Sequence, residues 1–213
     1  VAVAADRDSS GAAEAFVPAL GVASLPAVYE KVVDLFCRDN HVKSQLLARI
    51  AGRNDLHIVD VACGPGKLAE RLASQQPCCT VSAFDIDPAM VAKARVRTGE
   101  LTNVSVQVAN VCALPLPDAS CDVVIESLLF HHLTDAQKVT AISEIARVLR
   151  SHGTFYFVDW VRPSSFYATV AFNVIKLLDG RANVASHANN VVLDLIGVHF
   201  VSSGDPTYVQ TTV

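Results

Sequence analysis

Residues 57–69, His-Ile-Val-Asp-Val-Ala-Cys-Gly-Pro-Gly-Lys-Leu-Ala, constrain this chain more than any other stretch. A β-branched run leads into a Gly-rich turn, and the turn leads into good helix formers, so the segment reads as buried strand, loop and helix in direct succession. The turn also limits the ligand. Amides at a helix N-terminus attract anions, and a glycine loop in that place ordinarily takes phosphate. Here Asp60 stands four positions before Gly64. A carboxylate beside the loop opposes phosphate and suits positive charge, such as an amino group or a sulfonium. Gly64, Gly66 and Ala69 also satisfy the looser G-x-G-x-x-A dinucleotide pattern. The loop alone therefore fits two nucleotide classes, and a purely structural turn as well.

The same alternation continues downstream. Runs at 58–61, 80–84, 104–108, 123–125 and 154–158 read as strands, and 67–74 reads as a helix with Leu68 and Leu72 inward. Asp87 before Pro88 is an N-cap followed by proline at the first helical position. Thr134 and Gln137 form a capping box for a helix that buries Val139, Ile142, Ile145 and Leu149, with Arg147 and Arg150 toward its end and Gly153 as its stop. Strands alternating with helices imply a parallel sheet covered on both faces, with all carboxyl ends on one edge. Asp60, Asp85, Asn110 and Glu126 fall at such ends. Asp85, unlike Asp87, has no evident local role, and it lies where a carboxylate can accept from ribose hydroxyls.

Upstream, residues 27–50 read as two amphipathic helices broken at Asp39-Asn40, with Val42, Leu46, Leu47 and Ile50 on one face of the second. Beyond Trp160, residues 166–178 read as an apolar helix, 181–190 as polar loop, 191–196 as a short helix, and 199–202 with 208–213 as a final strand pair. The expected organisation is a flexible arm at 1–26, or a processing remnant, and a single domain at 27–213. Within it, 27–51 is a helical cover, 52–160 the cofactor-binding core, and 161–213 the acceptor-side helices and final strands. At 213 residues, 51% apolar and 18% charged, one well-buried domain is expected. The net charge of −4 argues against bulk nucleic-acid binding. No apolar run is long enough for a transmembrane helix, though peripheral membrane contact stays open. The six cysteines include no C-x-x-C pair, so no metal site is expected; reduced thiols in an intracellular, cytoplasmic protein are the reading, with organelle import as the alternative.

Taken together, Val59-Asp-Val-Ala-Cys-Gly-Pro-Gly66, Asp85-Ile-Asp-Pro-Ala-Met90, Ala109-Asn-Val111, the block from Leu114 to Val124, and Glu144-Ile-Ala-Arg-Val-Leu-Arg150 resemble a class I S-adenosylmethionine-dependent methyltransferase. Within that class the chain is most similar to the small-molecule enzymes of the ubiquinone/menaquinone-biosynthesis type. The resemblance implies an α/β, Rossmann-like, doubly wound and mostly parallel seven-stranded sheet with an antiparallel last strand. It implies S-adenosylmethionine as cofactor, S-adenosylhomocysteine as product, and a small-molecule acceptor. Asp60, Ala62, Cys63, Gly64 and Gly66 would surround the methionine part, with loop amides near its carboxylate. Asp85 would bind the ribose, Ile86 would pack on the adenine, and Asn110 and the Val111 amide would read its edge. Glu126 and Ser127 would lie near the methionine amine. Three positions depart from the family pattern: Ala62 replaces the first loop glycine, Asn110 an aspartate, and Ser151-His152-Gly153 a Pro-Gly-Gly turn.

Methyl transfer from a sulfonium mainly needs donor and acceptor held in line. An oxygen or carbon acceptor also needs a base, and His131 or His132 after the fourth strand is placed for it. Equally, one could pack the next helix and the other face solvent. Glu126 is a base candidate with a backbone role as the alternative; Tyr29 could touch cofactor or acceptor, or simply pack. His187 and His199 are weaker base candidates. The aromatic residues Trp160, Phe166, Tyr167 and Phe172 could wall an apolar acceptor pocket, form a dimer surface or fill a core. Two rival functions remain: an NAD-dependent oxidoreductase on a related sheet, and a catalytically inactive methyltransferase-fold binding subunit. Protein or nucleic-acid methylation fits the acidic charge less well.

Overall fold

Five β-strands, all parallel, lie in the order β3-β2-β1-β4-β5. The computed structural model describes residues 39–159 and 191–200. In chain order the elements are α1 (Asp39–Ile50), β1 (His57–Val61), α2 (Lys67–Gln75), β2 (Thr80–Asp85), α3 (Pro88–Thr98), β3 (Val104–Val108), β4 (Cys121–Ser127), a 3-10 turn at Phe130–His132, α4 (Asp135–Val148), β5 (Leu149–Val158) and α5 (Val191–His199). β1 is central and pairs in register with β2 on one side and β4 on the other, Val61 lying opposite both Phe84 and Glu126. The chain thus winds outward in two directions from β1, which leaves a crevice at the carboxyl ends of β1 and β4.

Two cores follow from the pleat. Ile58, Val81, Val123 and Ile125 pack with Leu46, Leu47 and Ile50 of α1, Leu68 and Leu72 of α2, and Val91 of α3. Val59, Val61, Val124 and Phe84 pack on the other face with Ile142, Ile145 and Val148 of α4 and Val192 of α5. Neighbouring β1 residues enter opposite cores, as the period-two alternation of a strand requires. Both faces are buried, so the strands carry continuous apolar runs.

The expected caps form. Asp87 accepts from the Ala89 amide at 2.8 Å, with Pro88 opening α3. Thr134 and Gln137 close a full capping box on α4. Gly66 matters at the start of α2. Its φ is +80°, and a Cβ there would sit 2.8 Å from Ala94 Cβ, so only glycine lets α2 start this close to α3.

Several expectations are corrected. Val139 is 47% exposed, and Val148 takes the inward place on α4, because the helix stops one residue before Leu149. β5 starts at Leu149 rather than 154, and Gly153 lies inside it. Six residues of β5, from Leu149 to Thr154, run against only three of β4, from Cys121 to Val123, so the Ser-His-Gly segment is an irregularity within the strand. Arg150 is accordingly a strand residue, and it pairs with Asp122. Arg147 does more than meet a helix dipole. It donates to Glu144, to Asp118 and to the Leu116 carbonyl, clamping the Pro-rich loop to α4. His199 ends α5 and so does not begin a strand. Five strands are present among the described residues, against seven expected. The first cover helix with Tyr29, the arm, the 166–178 helix, Trp160, His187 and residues 201–213 lie outside the described residues.

Candidate functional site

The sheet's geometry brings Asp60, Asp85 and Glu126 to one edge. Asp60 pairs with Ala83 and Ile125, one step before the Val61–Phe84 and Val61–Glu126 pairs, and Asp85 ends β2. All three carboxyls are buried, at 1%, 9% and 0% exposure. Charged carboxylates at this edge raise the cost of placing an anion beside them.

The loop between β1 and α2 turns through three left-handed residues, Ala62 at φ 56°, Gly64 at 53° and Gly66 at 80°. Its amides are largely bonded within the chain. The Cys63 amide donates to the Phe84 carbonyl at 2.9 Å, and the Gly66 amide to the Cys63 carbonyl at 3.0 Å. The Gly64 amide donates to Asp85 Oδ2 at 2.8 Å. Asp85 Oδ1 accepts from the Asp87 amide at 2.9 Å. Asp85 therefore has the local role that the sequence did not reveal: it ties the loop to the end of β2. Each of its oxygens keeps a further lone pair for a hydroxyl. Burial pushes its carboxyl up, and the Asp87 and Gly64 amides oppose that. The Cys63 thiol is pushed up by burial and by the Asp60 and Asp85 charges, so it stays a neutral wall of the loop.

Next to Asp85, Ile86 is 40% exposed, an apolar platform at the edge. Asn110 is exposed, and its Oδ1 accepts from the Cys112 amide at 2.9 Å; the Val111 side chain is buried. Ser127 is half-buried, and Leu128 after it takes a left-handed φ of 63°, a strained turn for a leucine.

Past β4 a second group assembles, and the sequence did not reveal its centre. Asp159, immediately after β5, has a buried side chain that takes two bonds from one residue. Its Oδ2 accepts from the His131 amide at 3.1 Å, and its Oδ1 lies 2.6 Å from His131 Nδ1. The His131 and His132 rings stack with centroids 4.1 Å apart. His131 is 4% exposed, so it is a buried residue with a charged partner, whereas His132 is half-buried. Burial, then the neighbouring His131, hold the His132 pKa down to about 4. Glu126 Oε1 accepts from the Leu129 amide at 2.5 Å, while its Oε2 has no hydrogen-bond partner among the described residues. Burial and the Asp159 charge push the Glu126 carboxyl well up. Nothing before the fold is known links Asp159 to the histidines, 28 residues away in sequence; it stands one residue past the strand read at 154–158. Among the described residues no cluster suits a metal ion, and no helix is long and apolar enough to cross a membrane.

The fold and this edge define a class: doubly wound α/β proteins with an acidic crevice at the carboxyl ends of their parallel strands. Residues 58–153 match the family described as methyltransferase domain. A probable S-adenosylmethionine-dependent methyltransferase of Mycolicibacterium smegmatis is 34% identical over 148 residues, 70% of this chain and 53% of that protein. A malonyl-[acyl-carrier protein] O-methyltransferase of Geobacter sulfurreducens is 35% identical over 50% of this chain and 39% of its own. The YcgJ protein of Bacillus subtilis superposes with TM-score 0.56 at 25% identity, covering 65% of this chain and 58% of that one. A chain of the Haloferax volcanii complex between the Trm112 activator and a methyltransferase reaches 0.61 at 24%, covering 79% and 72%, a likeness of fold. Residues 58–153 form a methyltransferase domain of the class I S-adenosylmethionine-dependent type. The chain spans about half the length of the curated relatives it matches.

Proposed function

We propose that this chain transfers a methyl group from S-adenosylmethionine to a small, partly apolar acceptor. The observation that carries the reading is the disposition of the loop. Its Cys63, Gly64 and Gly66 amides are bonded within the chain, and Asp60 and Asp85 lie beside it. A pyrophosphate would meet two carboxylates there. A nucleoside carrying a sulfonium and an ammonium would find hydroxyl acceptors and favourable charge.

In this reading Asp60, Ala62, Cys63, Gly64 and Gly66 line the methionine part. The amides that open α2 have no carbonyl within the helix to bond, and they face its carboxylate. Asp85 takes the ribose hydroxyls and Ile86 packs on the adenine. Asn110 and the Val111 amide read the base edge; the second lone pair of Asn110 Oδ1 accepts from the adenine amino group. Glu126 and Ser127 place the β4 backbone near the methionine amine. When bound, the cofactor supplies an electrophilic methyl on a sulfur that leaves readily. The chain's task is alignment, exclusion of water and removal of a proton by His131 or His132. The likeness to quinone-biosynthesis enzymes rests on the sequence blocks alone and supports an aromatic or enolic acceptor.

The test is transfer of labelled methyl from S-adenosylmethionine to a panel of small phenols, enols and amines. Label in an extractable product is the expected result. A folded protein that binds the cofactor yet labels nothing would favour an inactive binding subunit.

A further inference from the structure

We infer that Glu144 and Arg147 are positioning residues for base recognition: they hold the turn that bears Asn110 and Val111, and so set the selection of adenine over a 6-oxopurine. The inference rests on the methyl-transfer reading above, in which those two residues read the base.

The turn begins where the sheet stops. Val108 ends β3 opposite Asp85, and the Ala109 amide extends that pairing by donating to the Asp85 carbonyl at 3.0 Å. Asn110 follows, exposed, at the carboxyl edge of the sheet. The Ala113 amide donates to the Asn110 carbonyl at 2.9 Å and the Cys112 amide to Asn110 Oδ1 at 2.9 Å, so residues 110–113 close one tight turn. An N–H can only donate, so the second bond fixes which end of the Asn110 amide faces it.

The chain after the turn cannot hold it alone. Pro115 and Pro117 have no amide hydrogen, and backbone groups away from water need partners. Two side chains of α4 supply them. Leu114 is buried; its amide donates to Glu144 Oε1 at 2.7 Å, and its carbonyl accepts from Arg147 Nη2 at 3.2 Å. Arg147 Nη1 donates to the Leu116 carbonyl at 2.9 Å. The pair is itself locked as a fork, with Arg147 Nε 2.8 Å from Glu144 Oε2 and Nη2 2.7 Å from Oε1. The guanidinium beside Glu144 holds its carboxyl below the usual range, which keeps it an acceptor. Two turns earlier on α4, the Gln137 carbonyl accepts from Cys112 Sγ at 3.6 Å. The position of the turn is thus set by α4.

Base reading is sensitive to that position, because a hydrogen bond weakens steeply as its angle departs from linear. Asn110 Oδ1 would accept from the adenine amino group, and the Val111 amide would donate to the ring nitrogen beside it. A 6-oxopurine presents an acceptor to the first and an N–H to the second, so both contacts are mismatched. Ribose and methionine contacts are the same for either base. The clamp therefore acts on the difference between the two ligands.

The test is calorimetric titration of wild type, Glu144→Gln, Arg147→Lys and Asn110→Ala with S-adenosylhomocysteine and with S-inosylhomocysteine. Amide hydrogen exchange of the ligand-free wild type runs in parallel. Wild type should prefer the adenosyl ligand about a hundredfold. The preference should fall about tenfold in each clamp variant and in Asn110→Ala, through weaker adenosyl binding with inosyl binding unchanged. The Leu114 amide should exchange slowly in the wild type. An equal loss for both ligands would show a merely structural role and overturn the inference, as would an undiminished preference in a folded clamp variant. Fast exchange at Leu114 in the wild type also overturns it, and needs no variant to fold. A preference that survives in Asn110→Ala overturns Asn110 as the base reader and the inference with it. Failure of folded wild type to bind either ligand would instead overturn the methyl-transfer reading, with Leu114 exchange still reporting on the clamp.

Discussion

Ala62 stands in left-handed backbone where related loops place glycine, with φ at 56°. That conformation strains an alanine by about 1–2 kcal/mol, part of which glycine's greater unfolded-state freedom cancels. Ala62→Gly should therefore raise stability by about 0.5–1 kcal/mol, read from a denaturant midpoint; a lower midpoint would contradict the strain. Asp85 holds the loop and also faces the ligand. Asp85→Ala should weaken S-adenosylhomocysteine binding about tenfold or more, and unchanged affinity in a folded variant would remove it from the site. His132 carries a pH prediction. Its folded pKa of about 4 lies below the ordinary 6.5, so between those values the unfolded chain binds a proton that the folded one refuses. Stability should fall as pH drops through that window. His132→Gln should flatten the dependence there, with Asp122, Glu144 and Glu126 contributing equally to both proteins; identical slopes would contradict the burial effect. At this scale the carboxylates at strand ends were legible because strand period and loop motif place them. Asp159 was not, since its meaning arises only when β5 pairs with β4.

Elements were legible where local chemistry punctuates them. Asp87-Pro88 and the Thr134–Gln137 box announce α3 and α4, because caps satisfy amides that a helix must leave open. The end of α4 was misread for the complementary reason. Leu149 continues the apolar pattern, and pattern alone does not separate the last helical residue from the first residue of a buried strand. Lys138 is the clearest surprise on α4. Its side chain is fully buried, with its ammonium 3.0 Å from Asp135, because it lies four residues before Ile142 on the inward face. Gly66 carries the prediction at this scale. Adding a methyl there forces Ala94 away and puts an alanine at φ 80°. Gly66→Ala should cost about 1–3 kcal/mol by separating α2 from α3, measured by chemical denaturation. A neutral substitution would show that the two helices are not held in contact there.

The whole molecule was legible as a class because alternating strands and helices allow few arrangements. Buried parallel strands, right-handed crossovers and a reversal of strand order at β1 together fix one ligand edge. The choice of ligand was less legible, since the glycine pattern alone fits both a dinucleotide and an adenosyl sulfonium. What separates them is three-dimensional: the loop's amides turn inward, and acidic groups crowd the crevice. The most direct test is calorimetric titration of the wild-type protein with S-adenosylmethionine and S-adenosylhomocysteine, with NAD alongside. The two adenosyl ligands should bind and NAD should not. Binding of NAD alone, or of none of the three by folded protein, would contradict the account.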